Sequence, residues 1–218
     1  MCWNPTVSLS TFLLSVVTLI ALGDYLYRNP TKQVSNIDWE YFPYVAAFML
    51  SFSVMQLLEY FLWLNQGTDP QSVRHNTFWS LIAYLVITIQ PLVAIVGLVD
   101  DRRVRNILLT IYAVFFVLMM GIGLPTRTFR SVRGQDGHLE WKWLHLEGFT
   151  GHAMLFVYFV MLLVPLVYCK NKWFLLLAVV TLVSSVYFYA NGRSWGTMWC
   201  WSANVLSLYF LYHLMRVQ

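Results

Sequence analysis

WGTMWCWSANVLSLY, residues 195–209, decides the reading of the fold. Three tryptophans, Cys200 and Asn204 stand at the mouth of an apolar segment. Indole rings favour the headgroup boundary of a bilayer, and the leucines and valines beyond them favour hydrocarbon, so this is where a helix enters a membrane. The rest of the chain agrees. Of 218 residues, 59% are hydrophobic, 17% aromatic and only 11% charged, which does not describe a soluble surface. Seven apolar segments can be drawn, at 7–25, 43–64, 78–99, 107–124, 152–168, 173–190 and 198–215. Each is near the roughly 20 residues that cross about 30 Å of hydrocarbon. Backbone groups in lipid must be satisfied internally, and unbroken runs of this length select helices over a barrel. The expected fold is therefore an all-α membrane protein: one domain, 1–218, built as a seven-transmembrane-helix bundle. The first segment lacks a positive start and a small-residue cleavage pattern, so it is expected to stay as a helix and not to be removed as a secretory signal.

Charge placement gives the orientation. With seven spans, Arg74, Arg127, Arg130, Arg133, Lys142 and Arg193 share one side. Arg28, Lys32, Arg102, Arg103, Arg105, Lys170, Lys172 and Arg216 share the other. Four of the first six lie in one long insertion, leaving the short loops split two to eight. Positive short loops mark the cytoplasmic side, which puts the N-terminus outside and the C-terminus inside. Topology thus accounts for the +4 net charge, and nucleic acid is not an expected partner. Cys2 and Cys200 both fall at outer helix ends and form a candidate disulfide in an oxidising lumen. Two free, packed thiols are the alternative, because sharing a side carries no geometric information.

The long insertion, 126–147, lies between the fourth and fifth helices on the extracytoplasmic side. Alternation in RTFRSVR and HLEWKW around Gly134-Gln135-Asp136-Gly137 predicts a β-hairpin. Leu139, Trp141 and Trp143 share its apolar face, expected to cap the outer helix ends, and His138, Glu140 and Lys142 share the other. His138, Glu140, His145, Glu147 and His152 spell HxExxxxHxExxxxH, but the spacing is not HExxH and the segment changes from strand to helix. No metal and no cofactor are expected. Between the first two helices, Ser35 or Asn36 could cap a short interfacial helix anchored by Trp39 and Tyr41.

Within the spans, Gln56, Glu59 and Trp63 recur at helical spacing and share one face of the second helix. Glu59 lies about five residues from the outer end, on the order of 8 Å deep. An ionisable group there is a functional candidate, and a carboxyl hydrogen-bonded to a neighbouring helix is the ordinary alternative. Gln90-Pro91 predicts a kink in the third helix with Gln90 facing the bundle. Gly121 and Gly123 suit close packing of the fourth. Asp24 beside Arg28 reads as a boundary carboxylate. Gln56, Glu59, His152, Asn191, Arg193 and Asn204 fall at similar depth, and with Gln90 they form the candidate solute- or proton-binding set. Eight of ten tryptophans lie on that same side, which fits an aromatic-walled vestibule as well as an interfacial belt.

Met1-Cys2-Trp3, the QLLE of 56–59, Gln90-Pro91, the HLEWKWL of 138–144 and the MWCWSAN of 198–204 run through nearly the whole chain. In these motifs the chain resembles an uncharacterised family of small seven-helix membrane proteins scattered among algae, other protists and large DNA viruses of such hosts. The resemblance implies a seven-helix fold and a viral membrane or virion component as one setting. It carries no reaction. A retinal protein is disfavoured because the last helix has no lysine, and the paired proline signatures of small two-repeat sugar transporters are missing. The leading expectation is a transporter, channel or sensor for a small polar solute or proton, multi-pass in a lipid bilayer. A structural or assembly protein, including a homo-oligomer, is the second. An integral-membrane enzyme using Glu59 and His152 as acid and base is the third.

Overall fold

The computed structural model describes residues 4–144, 148–169, 172–191 and 195–217; side chains at 148–150, 177, 181, 184–185, 188–191 and 195–204 lie outside that description. The chain folds as α1 (Pro5–Arg28), α2 (Phe42–Leu64), α3 (Pro70–Leu98), α4 (Arg102–Thr126), β1 (Ser131–Arg133), β2 (Leu139–Trp141), α5 (Gly148–Tyr168), α6 (Lys172–Asn191) and α7 (Trp195–Val217). Among the described residues, five helices are long and apolar enough to cross a membrane: α1 to α4, and α5 over Gly151–Tyr168. Asparagine or aspartate followed by helix is the repeated start signal. Asn4, Asp69 and Asp101 cap α1, α3 and α4 through their side chains, the first two with proline next.

Helices α2 and α3 form the enclosed centre, and α1 and α4 expose more of their length. α2 packs on α1, α3 and α7, and α3 packs on α2, α4 and α5. α7 also packs on α1 and α6, which closes a ring through α5. The two ends of the bundle carry different closures. At one end the hairpin meets the α2–α3 connection, where Asn76 Nδ2 donates to both the Asn65 and Ser131 carbonyls at 2.9 Å. At the other, the α1–α2 connection meets the ends of α5 and α7: Tyr41 donates to Cys169 Sγ at 3.4 Å, and the Ser35 and Tyr209 hydroxyls share a hydrogen bond. Consecutive helices therefore run antiparallel.

The α1–α2 connection differs from its expectation. Instead of an interfacial helix, Val34 and Ile37 bridge each other across Ser35 and Asn36, whose φ values of 53° and 65° are left-handed. That turn inserts Val34 and Ile37, both fully buried, into the bundle end. Burial of the two β-branched side chains outweighs the backbone cost of two left-handed residues. At the entry to α2, Asp38 Oδ1 accepts from Tyr41 N at 2.8 Å.

The hairpin forms as the alternation implies, with Val132 opposite Glu140 and Gly137 at φ 81° in the turn. Leu139, Trp141 and Trp143 are buried, and Lys142 pairs with Glu140 at 2.8 Å. Trp141 and Trp143 stack on each other at 5.2 Å between ring centroids.

Candidate functional site

α1 presents hydroxyls at three- and four-residue intervals: Ser8, Thr11, Ser15 and Thr18. That spacing puts them on one inner stripe about 15 Å long. Ser8, Ser15 and Thr18 are buried, as are Gln56 and Glu59 on α2 and Ser207 on α7. Thr11 Oγ1 stands 2.9 Å from both Gln56 Oε1 and the Val7 carbonyl, so its one proton serves either acceptor. Ser15 and Ser207 are joined at 2.8 Å, and Thr18 donates back to the Leu14 carbonyl at 2.8 Å. Gln56 and Glu59 are each engaged by a further neighbour. The result is a ladder of hydroxyl and amide groups running from the hairpin end toward mid-bundle, with one carboxyl near its top.

Below Thr18 the ladder stops. Leu22, Leu26, Val34 and Ile37 are all fully buried and close the path with hydrocarbon toward the opposite end. Sequence reading did not find the α1 stripe, although its 3-4-3 spacing of Ser and Thr was present to be counted.

Gln90 is 1% exposed and does face the bundle. Its Nε2 donates to the Ser51 carbonyl at 2.9 Å, and its Oε1 accepts from Tyr158 at 2.6 Å. Ser51 lies eight residues before Glu59, about 12 Å along α2, so Gln90 clamps α2, α3 and α5 at a level of its own. His152 is exposed at the start of α5 and is engaged by a neighbour. The side chains of Asn191, Cys200 and Asn204, and residues Cys2 and Arg193, lie outside the description. Cys169 is buried and accepts a hydrogen bond from Tyr41. Among the described residues there is no cluster of three or more metal-ligating side chains.

A second polar group sits under the hairpin. Asn76 Oδ1 accepts from Ser131 N at 2.9 Å, so the amide pairs with both backbone groups of a strand residue. Ser131 Oγ meets Ser80 at 3.0 Å and accepts from the Trp143 indole at 3.2 Å. Beside it, Met119–Gly123 forms a π-helical turn within α4, and Tyr84 donates to the Met119 carbonyl at 2.6 Å. Arg127 Nη1 donates to the Trp143 carbonyl at 2.6 Å, and its guanidinium lies 5.0 Å from the Tyr84 ring centre. Burial holds Arg127 below the ordinary guanidinium value, opposed by Tyr84. This group fastens hairpin to helix; the α1–α2–α7 ladder is the better candidate site.

The architecture and this buried ladder define a helical integral membrane protein. No family model, curated protein or solved structure matches the chain.

Proposed function

We propose that the protein is a seven-span transporter, channel or sensor for a small polar solute or proton, with the N-terminus and hairpin outside and the C-terminus in the cytoplasm. Glu59 is its binding or coupling group, and Gln56, Thr11, Ser15 and Ser207 continue the polar path inward. The observation that carries this reading is the wholly buried Gln56–Glu59 face of α2 opening onto the hydroxyls of α1. A carboxyl inside a span is costly and marks ion or solute pathways by default. The hydrocarbon at Leu22, Leu26, Val34 and Ile37 seals the far end of the ladder, which in this reading leaves the hairpin side as the side of access. An enzyme using Glu59 with His152 draws no support from a pair of which one is buried and the other exposed.

One observation favours a second reading. Gln56 and Glu59 are both engaged within the bundle, as fastening groups of a structural or assembly protein would be, whether a homo-oligomer or a virion component. Flux and thermal unfolding of Glu59→Gln in reconstituted vesicles separate the two. In the transport reading flux or its pH dependence is lost while the unfolding temperature holds. Unchanged flux with a lowered unfolding temperature supports fastening.

A further inference from the structure

The register of α1 against α2 is fixed at two heights. Thr11 and Gln56 meet at 2.9 Å, and toward the other end a Cβ on Gly23 would stand 2.9 Å from the Phe42 ring. The two helices run antiparallel, so a step of about 4.5 Å outward from Thr11 and Gln56 reaches Ser8 on α1 and Glu59 on α2. Both belong to the stripes that face each other there, and both are fully buried. Ser8 Oγ nevertheless has no hydrogen-bond partner among the described residues, neither Glu59 nor a carbonyl of its own helix. One turn above Glu59, the Trp63 indole N–H is likewise out of water and without an acceptor among those residues. Native proteins pair nearly all such groups, so two of them at one site point to a partner that the fold does not supply.

Resting on the transport reading of the Glu59 ladder, we propose that its solute is a small uncharged polyol, held between Ser8, Glu59 and Trp63. The chemistry of the three selects it. An indole N–H gives a hydrogen bond and takes none, so it cannot ligate a metal ion, relay a proton or accept from an ammonium group. Its complement is an oxygen. Glu59, when ionised, takes hydrogen bonds and repels an anion such as a carboxylate. A neutral hydroxylic molecule meets both demands, since each hydroxyl donates one proton and offers two lone pairs. It donates to Glu59 and accepts from Trp63 and Ser8. The hydroxyls of Thr11, Ser15 and Ser207 continue the same chemistry down the ladder.

Uptake of labelled glycerol and erythritol into vesicles holding the reconstituted full chain tests this, with lactate, water and protons followed in parallel. Saturable polyol uptake is expected. Trp63→Phe, which keeps a ring and loses the N–H, and Ser8→Ala should each raise the half-saturating concentration about fivefold, the worth of one hydrogen bond. Ser8→Ala removes no side-chain bond within the protein, so its unfolding temperature should not fall. A lowered unfolding temperature with unchanged uptake makes Ser8 a packing group and overturns the site. Proton or lactate flux without polyol uptake overturns this inference and leaves the transporter standing, whereas no flux of any kind removes both. Water permeation alone, or polyol uptake that neither substitution alters, overturns it as well.

Discussion

Asn76 shows what a single side chain contributes here and why it was not legible. Its amide takes the place of a neighbouring strand, satisfying both the N–H and the carbonyl of Ser131 inside the protein. Removing it leaves two buried backbone groups without that partner, each costing about 1–3 kcal/mol. Asn76→Ala is therefore expected to destabilise the protein by about 3 kcal/mol in denaturant unfolding, with hairpin proteolysis rising in step. An unchanged unfolding midpoint would contradict the role. The apolar run of the third span begins at 78, two residues after Asn76. Asp69-Pro70 is a helix start signal that would have moved the boundary back and put Asn76 two turns into α3. Glu59 was legible because a carboxyl in an apolar run is rare. The α1 hydroxyls were not, because Ser and Thr can bond back to their own helix, as Thr18 does, and so carry little information in a span.

At the scale of elements, α4 and the hairpin carry the testable consequences. The two glycines of the π-helical turn looked equivalent in sequence, but they are not. A Cβ on Gly123 would stand 2.5 Å from the Tyr84 hydroxyl, whereas one on Gly121 would meet nothing within 4 Å. Gly123→Ala must displace the Tyr84–Met119 hydrogen bond and is expected to cost about 2 kcal/mol of stability. Gly121→Ala should be within about 0.5 kcal/mol of the unmodified protein. Thermal unfolding of the pair checks this, and equal losses would contradict it. In the hairpin, burial holds His138 below the ordinary imidazole value, partly opposed by Asp136. The unfolded chain then binds the proton more readily than the folded one. The stabilisation is complete above the ordinary value of 6.5 and is lost as pH falls through it toward the lower folded value. Tryptophan fluorescence should report a less stable hairpin at pH 5 than at pH 7.5, a difference that His138→Gln removes. The hairpin itself was readable from its alternation and its Gly-Gln-Asp-Gly turn. The Val34–Ile37 turn was not, because Ser35 and Asn36 serve equally well as helix caps and as left-handed turn residues.

For the whole molecule, composition and run length were enough to read a helical membrane protein, since hydrocarbon leaves the backbone so few solutions. Which faces turn inward was less legible. Apolar residues cover the lipid side and the core alike, so periodicity within a span carries little contrast. The asymmetry between the two ends emerges only in three dimensions: a hydroxyl ladder with Glu59 at the hairpin end, and hydrocarbon from Leu22 to Ile37 at the other. That asymmetry is what the proposed transporter rests on. Flux of protons or small polar solutes across vesicles holding the reconstituted protein, measured against pH, tests it most directly. The account predicts that Glu59→Gln abolishes the flux or flattens its pH dependence, and that Glu59→Asp, which keeps the carboxyl, retains part of it. Flux in Glu59→Gln equal to that of the unmodified protein at every pH would contradict it.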